Sequence, residues 1–441
     1  MKDPEDPDVK REIEERFQWN VRTIVGDYGR VGSQSARWDE PVRKALELMA
    51  HFRVHGAVDA SRASYSDSIR ELIRAARAAG CDDPLALYLY ARLGVPETMT
   101  EKDRAQLYAE AADGIESRGY SPIRKFYAHL RAAERLSAAN ERQQGQAAVH
   151  KHSTRAWDLC IEFIGDKAAP SEDVREAVEE LVKYWSGRLQ PKRYEALEAA
   201  LLRHWGNEAW VYRFKGTHFK EFAWEARGNG YADTVSEEGW RLFSERLEIA
   251  ERALLKSWEM NPSDPETARA LMGVELGQGR GRDRLEQWFS RAMKLNTNFY
   301  EACSIKLTYL EPKWHGSARQ MLEFGRECAR SKEWGWSVPL IIAEAHQSLA
   351  RYDQREGQDY WADPSVWPEI ESCFEAFFAR YGEQGLGWRH NYARFAYKCR
   401  KWSVLRRELP LLGKVNYDFF GGREAFEQMK REVEEHLSET K

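Results

Sequence analysis

The residue types that chemistry uses meet most densely at Pro312-Lys313-Trp314-His315-Gly316-Ser317. There Pro and Gly fix a loop, and a cation, an indole and an imidazole stand side by side on it. Projecting from that loop, Lys313 and His315 would meet a small ligand or substrate, and this is the second of three functional readings, the third being a subunit of a bacterial complex in which the helical array is a spacer. A purely structural account of the loop needs no chemistry: Ser317 caps the helix that starts at Ala318, and Trp314 plugs the junction. His150-Lys151-His152 has the H-x-H spacing of a chelating pair. It lacks a neighbouring carboxylate or third histidine, so two surface histidines are expected and no metal is assigned. Gly277-Gln278-Gly279-Arg280-Gly281 looks like a phosphate cradle. Such a cradle follows a strand and carries Lys-Ser/Thr, whereas this one follows a helix, so a loop between helices is expected. Nucleophile-elbow, H-E-x-x-H and P-loop patterns are absent. Carboxylates are plentiful, but nothing singles out a working pair. No catalytic residue and no cofactor is therefore assigned.

The elements that would position these groups are helices. Apolar residues recur at helical spacing, and no run of alternating β-branched residues interrupts them. Asp82-Asp83-Pro84 opens a helix with proline in its first turn, where a missing N–H costs nothing. Thr100 and Asp103 form a capping pair, and Pro170-Ser171 opens a helix with Val174, Val178 and Leu181 on one face. Residues 1–204 read as irregular helix pairs. Residues 205–441 are more regular: Met260-Asn261-Pro262 and Leu295-Asn296-Thr297 end equivalent helices about 35 residues apart, close to the tetratricopeptide (TPR) period. The expected fold is all-α, a TPR-like array of antiparallel helix pairs. One pair cannot bury its apolar face alone; stacked pairs share a core and leave a concave side free.

That concave side motivates the first reading, a non-enzymatic module that binds a peptide or partner protein. Its expected contact residues lie on the first helix of each pair: Arg269, Glu275, Lys306 and Tyr309, then Arg394 and Tyr397, with Lys313, Trp314 and His315 beside them. Thirteen of the seventeen tryptophans fall between Trp205 and Trp402. Most are expected to pack between stacked helices, and a few to line a groove, where indoles anchor partners well.

Composition narrows the partners. The chain has 441 residues, beyond the size at which one core keeps growing. With 42% hydrophobic and 31% charged residues it is a folding sequence. A net charge of −4 with interspersed signs argues against nucleic acid or an anionic membrane as partner. No apolar run approaches the ~18 residues of a membrane span, and Met1 to Phe17 lacks an apolar signal core. A cytoplasmic location is the expectation. The six cysteines stand singly with no CxxC pair, and buried thiols are expected of them.

Several stretches resemble a family of bacterial domains of unknown function with TPR-like helices. They are Ala223-Trp224-Glu225-Ala226-Arg227-Gly228, Tyr309-Leu310-Glu311-Pro312-Lys313-Trp314-His315-Gly316-Ser317 and Asn391-Tyr392-Ala393-Arg394-Phe395-Ala396, across roughly residues 205 to 441. The resemblance implies a helical-repeat fold and a bacterial origin. It carries no activity and no catalytic residue.

Overall fold

Residues 6–55, 62–139, 145–185, 189–353 and 359–439 are described by a computed structural model. Among them there is no strand; the chain is all-α. No helix among the described residues is long and apolar enough to cross a membrane. The chain divides into two compact units, Lys2–Glu225 and Ala226–Lys441.

Helix ends follow from local side-chain chemistry. Asp83 precedes Pro84 at the start of the helix Pro84–Leu89, and its Oδ1 accepts from the Leu85 and Ala86 amides at 2.9 and 3.2 Å. This fills two donors that an N-terminus otherwise leaves open. Thr100 Oγ1 accepts from the Asp103 amide at 3.1 Å and starts the helix Glu101–Ser117. In the second unit Asn261 and Asn296 end the helices Glu237–Met260 and Arg282–Leu295 in nearly the same way. Their φ/ψ values are −143/87° and −144/97°. Each takes an amide two residues on with its own Oδ1, at 3.1 and 3.0 Å.

In the first unit, helices Pro7–Val21, Asp39–His55, Pro84–Leu89, Pro122–Ala138 and Ser171–Tyr184 bring charged side chains together around Asp173 and a cavity. Two apolar clusters share the unit. One gathers Ile24, Tyr28, Leu46, Ile73, Leu85 and Tyr108. The other gathers Trp19, Phe126, Leu159, Phe163, Val178 and Leu197. Helix Pro122–Ala138 serves both, giving Ala128 and Ala132 to the first and Ile123, Phe126 and Leu130 to the second. A helix packed on both sides is buried over much of its surface, so a charge it carries inward is sealed with it.

The second unit is built of helix hairpins. Glu237–Met260 packs on Pro265–Gln278, which packs on Arg282–Leu295; Ala318–Arg330 packs on Ile341–Asp353. Its C-terminal core centres on Trp367, Phe374, Phe377, Tyr392 and Phe395. The Trp367 and Phe374 rings lie stacked on Tyr392 at 5.8 and 4.9 Å. All six cysteines are buried free thiols.

Candidate functional site

The residues expected to form a groove sit in the second unit and make contacts within the fold, although Glu275 Oε2 and Arg394 Nε are buried without a hydrogen-bond partner. Arg269 pairs with Glu266 at 2.8 Å, one helical turn away. Glu275 is buried and takes the Arg284 guanidinium at 2.8 Å. Burial outweighs Arg284 there and raises the carboxyl pKa. Lys306 is also buried; its Nζ meets Glu286 at 2.8 Å and lies between the Phe289 and Phe324 rings. Tyr309, Glu275 and His315 come together around Gly279: the Tyr309 ring is buried under the His315 imidazole at 4.4 Å. His315 Nε2 reaches the Leu276 carbonyl at 3.1 Å. Lys313 pairs with Glu311 at 2.8 Å, and the Trp314 indole lies 4.9 Å from the Arg227 guanidinium carbon. Ser317 caps its helix through the Gln320 amide, 3.3 Å away. Arg394 donates to Gln347 at 2.7 Å and Tyr397 to Glu432 at 2.8 Å, on a later hairpin.

One expectation is corrected. His150 and His152 lie on a helix, Gln146–Ile164, where positions two apart point in nearly opposite directions. His150 is exposed, but His152 is buried, with its Nδ1 at 2.8 Å from Nδ1 of the equally buried His129. The pair is a core contact and not two surface imidazoles.

Converging charge on a cavity appears instead in the first unit. A cavity of about 190 Å³ opens among four segments, each of which lends one stripe of a helix. Helix Asp39–His55 gives Met49 and Arg53, four apart. Leu85, Tyr88 and Arg92 come from Pro84–Leu89 and the turn after it. Helix Pro122–Ala138 gives Arg124, Tyr127 and Arg131; Ser171–Tyr184 gives Glu176, Glu179 and Glu180. Spacings of three, four and seven put each set on one helical face.

Most of the charges in its walls are neutralised. Asp173, fully buried, accepts from Arg16 Nε at 2.8 Å and from Arg53 Nη2 and Asn20 Nδ2 at 3.2 Å. Burial works to raise the Asp173 pKa, but Arg53 and Arg16 hold it below the usual carboxylate range. Arg53 also donates to the Tyr127 hydroxyl at 3.2 Å and to Glu176 at 3.1 Å. Arg131 pairs with Glu134 at 2.7 Å and with Glu180.

Arg124 breaks this pattern. Only 3% of it is exposed, no ion pair to it occurs among the described residues, and its Nε and Nη2 are buried without a hydrogen-bond partner. Burial, and then the neighbouring Arg53, push its pKa down to about 10. It remains charged at neutral pH. Asp173 and the Tyr127 ring, 5.8 Å from the guanidinium carbon, offset part of that cost, but buried donors are almost always paired, and a buried charge without a hydrogen-bonded partner is costly.

No protein-family model matches the chain. No curated protein matches it either. The cavity walls offer fixed positive charge, aromatic surface and carboxylates held by arginines. Tyr127 is kept protonated by burial, although Arg53 opposes the shift. Guanidinium groups do not exchange protons at neutral pH, so this set suits binding better than proton transfer. The sequence reading missed the site because its arginines lie among many others. One signal was available: Arg124, Lys125 and Arg131 share a helix with no acidic residue before Glu134.

Proposed function

We propose that this chain is a binding protein without chemistry of its own, which seats an anionic group in the cavity of the unit Lys2–Glu225. The observation that carries this reading is Arg124, a buried cation on the cavity wall with two unfilled donors. An anion in the cavity would supply the missing charge and acceptor together. The second unit serves, in this proposal, as a TPR-like array that adds a surface for a peptide or partner protein. The matched geometry at Asn261 and Asn296 supports a repeat there. The alternative, a catalytic or ligand site around 312–317, has less support, because Lys313, Trp314 and His315 are engaged with Glu311, Arg227 and the Leu276 carbonyl.

The test is ligand-linked stability. A ligand that binds only the folded state adds RT ln(1 + [L]/Kd) to stability. Thermal unfolding of the full chain in acetate, phosphate and sulfate is compared with chloride at equal ionic strength, for wild type and Arg124→Met. At least one anion should raise the wild-type midpoint and leave the variant's unchanged. Equal responses in both proteins would remove the cavity from the account.

A further inference from the structure

We infer that the occupant of this cavity is a monoanionic carboxylate carried on an apolar body. The inference rests on the anion-binding reading above and narrows it to one ligand class.

Charge sets the first condition. Arg53 is matched by Asp173 and Glu176, and Arg131 by Glu134 and Glu180. Arg124 is the one buried arginine of the wall without an ion pair among the described residues; Arg92 stands exposed. One buried positive charge takes one negative charge. A phosphate dianion would bring a second into a wall already holding Glu176, Glu179 and Glu180, where like charges raise each other's cost.

Donor geometry sets the second. Nε–H and one Nη2–H of a guanidinium lie parallel on the same edge, the fork that a carboxylate's two oxygens fill side by side. In Arg124 these are the two atoms without partners. That edge is closed to solvent, so binding requires the side chain to turn it toward the cavity that Arg124 lines. A phosphate's remaining oxygens would want donors that Met49 and Leu85 do not have.

The apolar side of the wall sets the third. Met49, Leu85 and the Tyr88 and Tyr127 rings offer a surface that contributes only when an apolar body covers it. The cavity of about 190 Å³ leaves room for a carboxylate and a short side chain or ring. A small free acid and the C-terminus of a peptide ending in an apolar residue share this chemistry.

Calorimetric titration of the full chain tests it with four probes: phenylacetate, inorganic phosphate, a short peptide ending in a free C-terminal phenylalanine, and the same peptide as its C-terminal amide. Phenylacetate or the free-acid peptide should bind at least tenfold tighter than phosphate, and the amide should lose tenfold or more against the free acid. Arg124→Met should abolish binding. Arg124→Lys, which keeps the charge and loses the fork, should weaken it at least tenfold. A free-acid peptide tenfold tighter than phenylacetate makes the natural occupant a chain terminus; phenylacetate equal or tighter makes it a small acid. Phosphate binding through Arg124 with no carboxylate binding would overturn the carboxylate inference and leave the anion reading intact. Binding that survives Arg124→Met, or no binding of any probe, would overturn both.

Discussion

Arg124→Met should make the ligand-free protein more stable. The guanidinium is buried beside the Arg53 charge on a helix packed on both sides, and two of its donors have no partner. Its pKa, drawn down to about 10, converts at about 1.4 kcal/mol per pH unit to roughly 3 kcal/mol of penalty on the charged form. At neutral pH, well below that value, the penalty is present in full. Methionine keeps the length of the stem and loses the charge, at a cost in shape of about 1 kcal/mol. The net gain should be about 1–3 kcal/mol. For a unit of this size each kcal/mol moves the midpoint by about 2–4 °C. The assay is urea and thermal unfolding by circular dichroism, on protein refolded from denaturant into dilute chloride buffer so that no bound anion is carried over. A variant less stable than wild type under those conditions would refute the reasoning, because Arg124 would then be satisfied in the empty protein. A stabilising change that abolishes binding is the usual mark of a residue kept for function.

Three other outcomes follow from the same structure. Asp173→Ala strips Arg16 and Arg53 of a fully buried partner, and the first unit should lose about 3–5 kcal/mol in urea unfolding; a loss under about 1 kcal/mol would show that Glu176 alone suffices. His129 and His152 are held neutral, by burial first, with the His129 pKa down to about 4 and further lowered by His152 against the pull of Glu116 and Asp113. Since the unfolded chain protonates first, their stabilisation is complete above the ordinary histidine value and is lost as pH falls through the folded values. Midpoints should drop from pH 7 to pH 5, and His129→Gln should flatten that slope; an unchanged slope would assign the acid sensitivity elsewhere. Gly316→Ala would place a Cβ 2.4–2.7 Å from the Leu310 backbone and should destabilise the second unit by about 1–3 kcal/mol, read by urea unfolding.

Helix punctuation was legible in the residues because it is local. Asp83-Pro84, Thr100 with Asp103, and Ser317 act through atoms two or three residues away, and each does what its type predicts. The stops at Asn261 and Asn296 belong to the same kind. The cavity was not legible, because it depends on which of many arginines is turned inward. Charged residues are exposed by default, and in Pro122–Ala138 the packing of both helix sides against separate clusters decides otherwise for Arg124. The same difficulty hid Lys306 and Glu275, chosen as groove residues for their charge and found buried beside Glu286 and Arg284. His152 was misplaced because the helix Gln146–Ile164 turns positions two apart to nearly opposite sides, which sends one imidazole to the surface and the other to the core.

The six sealed sulfhydryls give this protein an internal clock. Burial holds the Cys81, Cys160, Cys373 and Cys399 thiols above their ordinary pKa, so an alkylating reagent finds neither access nor thiolate while the chain is closed. Two of the six belong to the first unit and four to the second. Mass-resolved alkylation would time the breathing of each unit separately, on the native chain and without a label.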